Sequence, residues 1–259
     1  MRIFVINLAR ADQRLRDMER QLSALGLDFE RIEATDGRSL TDNDRSLVDQ
    51  DRRRRITPYP LSDNEIGCWL SHRRALGKVA ESGDAMAVIL EDDAQLAPEF
   101  AACLAALERT KSSFDFLFLH RKFKKGEIYL PIYDLLPDLS MGRIGPAHMG
   151  AIGYAVSGAG ARKFLAYAPR FAHAVDKEIH RYWANDLGIF GLERPMVTHA
   201  DGWSFIEETR EQGRPMERPR YPDADRIYWR LQRGFTRFQD SLQKRRAWSA
   251  LVRKGNSRG

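Results

Sequence analysis

The chain has 259 residues, 43% hydrophobic and 30% charged, with a formal net charge of +6. That length suits one large domain or two small ones with a substantial core, and no run of about eighteen apolar residues is present to cross a bilayer as a helix. The charge is uneven: residues 226–259 hold ten Lys or Arg against one acid, Asp240, and carry +9, leaving −3 on the rest, so any polyanionic partner is an argument about the tail alone.

Residues 2–8, RIFVINL, read as a first strand; charged residues follow at once, unlike a signal peptide. DQRLRDMERQLSALG has the spacing of an amphipathic helix, with Leu15, Met18, Leu22 and Leu25 on one face and Gly26 as its stop. DFERIEA alternates as a second strand. This β-α-β opening favours a parallel sheet with a right-handed crossover. Residues 41–60, with Arg52 to Arg55 in a row, read as a surface excursion.

LSDNEIGCWLSH then marks a helix start. Ser62 and Glu65 have capping-box spacing, and the helix is expected to run to about Glu81 with Ile66, Trp69, Leu70 and Leu76 inward. Met86 to Leu90 is a strand, and Pro98 suits the first turn of the next helix. FDFLFLH (114–120) is another strand, and 121–146 reads as irregular. AIGYAVS is a strand, GAGARKFLAYA a helix, DKEIHRYWANDLG (176–188) a helix, and PMVTH a last short strand. No repeat and no dividing linker appear, so the expected organisation is one α/β domain over 1–225 and a basic tail over 226–259. Cys68 and Cys103 have no metal-ligand spacing and read as small buried hydrophobes of a reducing compartment; a cytoplasmic location is expected.

The chemistry concentrates in AVILEDDAQL. An apolar strand runs straight into Glu91-Asp92-Asp93. Three adjacent like charges repel unless a cation or donors compensate them. On a continued strand Glu91 and Asp93 share one side and Asp92 takes the other. Two carboxylates so placed suit Mg²⁺ or Mn²⁺, a cation usually shared with substrate phosphates. They would lie at the C-terminal edge of a parallel sheet, where open α/β sheets bind ligands. The competing reading is a solvated turn capping the next helix.

Four segments resemble glycosyltransferase family 25, the lipooligosaccharide-biosynthesis galactosyltransferases and their relatives: FVINLARADQR, EATDGR, LSDNEIGCWLSH and AVILEDDAQL. GYAVSGAGARKFL and AVDKEI are weaker matches, and the likeness spans about residues 1–206. It implies a GT-A-like, Rossmann-type fold with a mostly parallel central sheet flanked by helices. It also implies a UDP-sugar donor, Mn²⁺ or Mg²⁺, and inversion at the anomeric carbon. Glu91-Asp92-Asp93 then corresponds to the family's D-x-D motif, with Glu replacing Asp at its first position. Asp93 would ligate the metal directly, and Glu91 would contact it through water or touch the donor ribose; the lone histidines His199 and His148 are the candidates to complete the shell. Asn7, Arg10, Arg14, Asp36, Glu65, His72, Glu91 and Asp92 are the residues expected around the donor. Arg14 also reads as a solvated helix residue, Asp36 as a turn holder and His72 as a structural histidine. An inverting transfer needs a base for the acceptor proton. Asp176 is the first choice, with Asp186 and Glu178 as rivals; Asp176 also reads as an N-cap.

In the tail, Ile227 or Tyr228, Leu231, Phe235, Phe238 and Leu242 fall on one helical face among the ten positive charges. That composition suits an interfacial helix on anionic lipid, on the cytoplasmic face of the inner membrane, where a lipid-linked glycan acceptor would lie. The alternative is a helix packed on the body; nucleic acid ranks last. Two further functional readings stay open: a metal-dependent phosphoesterase or nucleotidyltransferase, which would want a second carboxylate cluster, and a membrane-binding module without catalysis.

Overall fold

A computed structural model of the chain describes residues 1–110, 114–120, 128–145, 150–199, 220 and 226–256. The expected β-α-β opening is present: β1 (Arg2–Asn7), α1 (Asp12–Ala24) and β2 (Glu30–Glu33) form a parallel unit. Met18 and Leu22 are the buried residues of α1, and Gly26 follows with φ +68°, a left-handed stop that favours glycine. The excursion at 41–60 is instead two short helices, α2 (Asp42–Ser46) and α3 (Gln50–Ile56), capped by Thr41 and Asp49. Their polar composition hides them, because tertiary packing of α3 supplies what an apolar stripe would have.

Helix α4 (Asp63–Glu81) starts at the expected capping box and buries Ile66, Trp69, Leu70 and Leu76. It leads into β3 (Met86–Glu91), β4 (Ala94–Leu96) and α5 (Phe100–Arg109). The chain continues through β5 (Phe116–Phe118), β6 (Tyr129–Leu136), β7 (Leu139–Ile144), β8 (Gly153–Ser157) and α6 (Gly158–Tyr167). It then forms α7 (Val175–Ile179), α8 (Tyr182–Asn185), β9 (Ile189–Leu192), β10 (Val197–His199) and α9 (Arg226–Asn256). The hairpin β6–β7 replaces part of the irregular stretch at 121–146. Pro131 sits in the outermost strand of the sheet, where a missing N–H is tolerated. The helix expected over 176–188 is two short ones, separated at His180–Arg181 and ended by Asp186 in the left-handed region.

The sheet order is β2-β1-β3-β8-β5-β9-β7-β6. Strands β2, β1, β3, β5, β9 and β6 run one way, and β8 and β7 run the other. This is the mostly parallel α/β architecture expected. Helices cover both faces, so strands such as FVI and AVIL read as continuous apolar runs. Alternate residues feed two cores: Phe4, Ile89, Phe116 and Phe118 join Trp69 and Phe171 on one side. Val5, Val88, Leu90 and Leu117 join Met18 and Phe100 on the other.

Helix α9 packs on the body. Asp240 accepts hydrogen bonds from Arg181 Nη1 and Trp183 Nε1, both at 2.9 Å, while Ala247, Trp248 and Leu251 lie against the core. Ile227, Leu231, Phe235 and Phe238 remain outside, with Leu231 70% exposed. The two readings of the tail are therefore not exclusive: one face of the helix packs, and the other presents the apolar stripe. No helix among the described residues is long and apolar enough to cross a membrane.

Candidate functional site

A cleft enclosing about 740 Å³ opens at the C-terminal edge of β1 and β3. One wall is built by α4. Thr35 N donates to Ser71 Oγ at 2.8 Å, and Ser71 Oγ donates to Gly67 O at 2.7 Å. A Cβ on Gly67 would stand 2.6 Å from Thr35 O, and one on Gly37 would stand 2.7 Å from Asp63 O. The glycines of TDGR and EIGC thus let the loop and helix touch backbone to backbone.

The acids form the floor. Strand β3 stops at Glu91, and Asp92 and Asp93 turn away from the strand path, so all three reach the same cleft. The expected alternation of sides is corrected by that turn. Asp92 accepts from Asn7 Nδ2 at 2.8 Å and from Arg14 Nη1 at 3.3 Å, which ties the turn to β1 and α1. Glu91 meets His72 Nε2 at 3.0 Å, and Tyr154 Oη holds His72 Nδ1 at 2.9 Å. Burial, the largest single influence, opposes ionisation of Glu91, but the His72 hydrogen bond together with the charges of His72, His199 and His120 holds the carboxyl below its usual range. Asp93 is different. Burial, reinforced by the charge of Glu91, pushes it up to about 7. Its Oδ1 is buried without a hydrogen-bond partner among the described residues. Arg14 Nη1 stands 3.8 Å from Oδ2, and His199 Nδ1 stands 4.0 Å away. The antiparallel pairing of β10 with β4 sets His199 opposite Ala94, beside Asp93.

A buried carboxylate oxygen without a donor, next to a second carboxylate, fits a hard divalent cation. Asp93 and Glu91 would hold it, with His199 in reach. Cys68, His72 and Glu91 also gather atoms within 4.8 Å of one another. They fit less well: both His72 nitrogens are engaged, and burial with the charges of Glu91, Asp176 and Asp93 drives the Cys68 thiol well above its usual range. The ligating thiolate is the form this surrounding disfavours.

Arg10 and Arg14 line the cleft as the expected cations, and Arg10 stands 3.5 Å from Asp36. Asp36 also caps the turn at Arg38 N, so the turn-holding reading is present in the structure. Asn64 and Cys68 line the same cleft and were not foreseen; nothing in their spacing marks them. Glu65 completes the cap of Ser62 instead of lining the cleft. Asp176 lies in the first turn of α7, with Ala174 as the N-cap; its Oδ2 accepts from Gly150 N at 3.1 Å. Asp176 is not among the residues lining the cleft, but α7 packs against α4, which forms one wall, and the Asp176 charge helps to raise the Cys68 thiol.

Two rival bases fail on position. Asp186 precedes β9, which runs parallel to β5, so it lies at the opposite, N-terminal edge of the sheet. It is fully exposed there, 3.6 Å from Lys163. Glu178 is 0% exposed and bonded to Arg52, Tyr167 and His173, which leaves no route for a substrate. His148 falls outside the described residues.

The sequence profile described as Glycosyltransferase family 25 (LPS biosynthesis protein) matches residues 1–179. The chain belongs to glycosyltransferase family 25. Similar curated proteins include the mouse "Inactive glycosyltransferase 25 family member 3", 29% identical over 80% of this chain and 39% of that protein. A Drosophila melanogaster glycosyltransferase 25 family member is 30% identical over 65% of this chain and 28% of the fly protein. Xenopus laevis procollagen galactosyltransferase 1-A is 27% identical over 64% of this chain and 28% of that protein. The chain therefore spans less than half the length of these relatives.

Proposed function

We propose that this family 25 chain is a metal-dependent, inverting glycosyltransferase that moves a hexose, galactose by family likeness, from a UDP-sugar to a glycan acceptor. The observation that carries the reading is the Asp93 carboxylate, one oxygen of which is buried without a partner among the described residues, set beside Glu91 and two cleft arginines at the C-terminal sheet edge. When bound, Mn²⁺ or Mg²⁺ would neutralise charge developing on the leaving diphosphate. Asp93 and Glu91 hold that cation, while Arg10 and Arg14 supply fixed positive charge for the phosphates. Asn7 and Arg14 lock Asp92, and His72 orients Glu91. Asp176 takes the acceptor hydroxyl proton at a carboxylate oxygen.

The acceptor is a lipopolysaccharide-type glycan in this reading, supported by the family description. The outward stripe of α9, in a tail of +9, suits the peripheral surface of an anionic bilayer on the cytoplasmic side. Vesicle sedimentation checks this: binding should need anionic lipid and weaken as salt shortens the Debye length.

A catalytically silent module is the competing reading, since some relatives carry "inactive" in their names. Incubating the chain with UDP-galactose and Mn²⁺ separates the two. Release of UDP that stops in EDTA supports the transferase; no release across a panel of UDP-sugars and acceptors favours the silent module.

A further inference from the structure

A second cavity, enclosing about 670 Å³, lies between α7, α8 and α9. Its walls carry Lys177, Arg181 and Lys244 against a single acid, Asp240. Asp240 is already engaged by Arg181 Nη1 and Trp183 Nε1. Lys244 forms no ion pair or hydrogen bond among the described residues; its ammonium sits 5.1 Å from the centroid of the Trp183 ring, and burial holds its pKa below the usual range. The Arg181 guanidinium lies 5.5 Å from the same ring. Tyr182 also lines the cavity, and its buried hydroxyl has no hydrogen-bond partner among the described residues. Arg181 is committed to Asp240 and, at 3.9 Å, to Glu178, which leaves Lys177 and Lys244 as cations without an ion pair among the described residues, beside an unused hydroxyl and an apolar lining that suit an anion with a flat apolar face. Charge-assisted hydrogen bonds would hold the anion, and the C–H face of a pyranose would lie against the apolar lining of Ile144 and Ile189.

We infer that this cavity is a subsite for an acidic sugar, one bearing a phosphate or a carboxylate. The assignment to the acceptor glycan rests on the transferase reading above; the binding chemistry does not. Helix α7 joins the two places. Asp176 is on α7, which packs against the cleft helix α4, and the next residue, Lys177, lines the second cavity. His180, one turn further on, lines the cavity too and stacks on Phe118 with centroids 4.0 Å apart. An acidic unit seated here would fix the glycan next to the helix that carries the proposed base. Helix α9 supplies Lys244 and Asp240, so the tail is part of the subsite as well as a surface element.

The test is calorimetric titration of the full chain in EDTA, without donor, using glucose 6-phosphate, glucuronate, glucose and inorganic phosphate. Both acidic sugars, or one of them, should bind, with glucose roughly tenfold weaker or undetectable. Lys244→Gln should weaken the acidic sugar by roughly tenfold. The same substitution should leave UDP binding in Mn²⁺ unchanged. Preference for glucose 6-phosphate or for glucuronate then names the anion. The inference is overturned if neither acidic sugar binds, if glucose binds equally, or if Lys244→Gln has no effect. Displacement by UDP would move the ligand to the first cleft and overturn it too. Inorganic phosphate binding as tightly as the sugar phosphate would overturn the sugar assignment. Binding that passes these tests in a chain with no transferase activity would keep the subsite and remove only the word acceptor.

Discussion

The molecule buries carboxylates in two places and treats them in opposite ways. Glu178 is enclosed and fully answered: Arg52 Nη2 donates at 2.7 Å, His173 Nδ1 lies at 2.8 Å and Tyr167 Oη at 3.2 Å. Burial alone would raise its pKa, yet the His173 bond and the nearby Arg52 and Arg181 charges hold it at about 2. Asp93 is almost as enclosed but keeps an unpartnered oxygen and is pushed up to about 7. The chain is able to neutralise a buried acid with its own cations and does so at Glu178. At Asp93 Arg14 and His199 come no closer than 3.8 and 4.0 Å, and one oxygen keeps no partner among the described residues; in the proposed reading a bound cation would supply the rest. Uncompensated charge in a cleft marks function, and compensated charge marks structure.

The most severe way to test that contrast is Asp93→Ala. Transfer should fall to background, as it should for the wild-type chain in EDTA, while the melting temperature in EDTA should not drop. The substitution relieves repulsion with Glu91 and opens no apolar core. Full activity in EDTA, or in the variant, would remove the functional half of the comparison. Asp176→Asn comes next. It should lower turnover by roughly 10²- to 10⁴-fold and leave UDP affinity in Mn²⁺ unchanged, because a base acts on the acceptor proton. Near wild-type turnover would demote Asp176 to a residue that merely holds Gly150 N.

Much of this contrast was readable in advance. EDD after an apolar run drew attention to the acids that line the cleft, and the capping box placed the start of α4 to the residue. What stayed hidden was pairing over long sequence distances. Nothing local says that Arg52 answers Glu178 or that Tyr154 holds His72. Nor does local pattern show that Asp186 belongs to the wrong edge of the sheet, since that depends on the direction of β9. The helices at 41–60 and the β6–β7 hairpin were hidden because they are stabilised by what they pack on. The tail was legible as two alternatives because its sequence carries two faces; the structure packs one on the body and leaves the apolar stripe of the other exposed.

At the structural site, Arg52→Ala should cost about 3–5 kcal/mol, the usual effect of removing one partner from a buried pair. Glu178 would stay enclosed with its nearest arginine gone. Chemical denaturation at neutral pH measures this. A loss under about 1 kcal/mol, the scale of an exposed pair, would show that His173 and Arg181 suffice.

The smallest effect is the most direct probe of Glu178, because it is read as a slope. Its folded pKa is about 2 against an ordinary 4.5. A depressed carboxylate contributes stability that is fully present above pH 4.5 and is lost as pH falls toward 2. One titrating proton gives at most about 1.4 kcal/mol per pH unit. Other carboxylates titrate in the same window, so the wild type alone does not isolate the term. Glu178→Gln does: the amide fills the same space and cannot titrate. The variant should be less stable at pH 7, and its deficit should shrink by about 1 kcal/mol per unit below pH 4.5. In EDTA, Asp93→Asn should show the opposite sign. A raised carboxyl contributes stability below its ordinary 3.8 and loses it as pH rises through about 7, so the advantage of that variant should grow toward neutrality. A Glu178→Gln deficit that is constant with pH would mean the carboxylate is not held down by its neighbours, and the two acids would then differ in location alone.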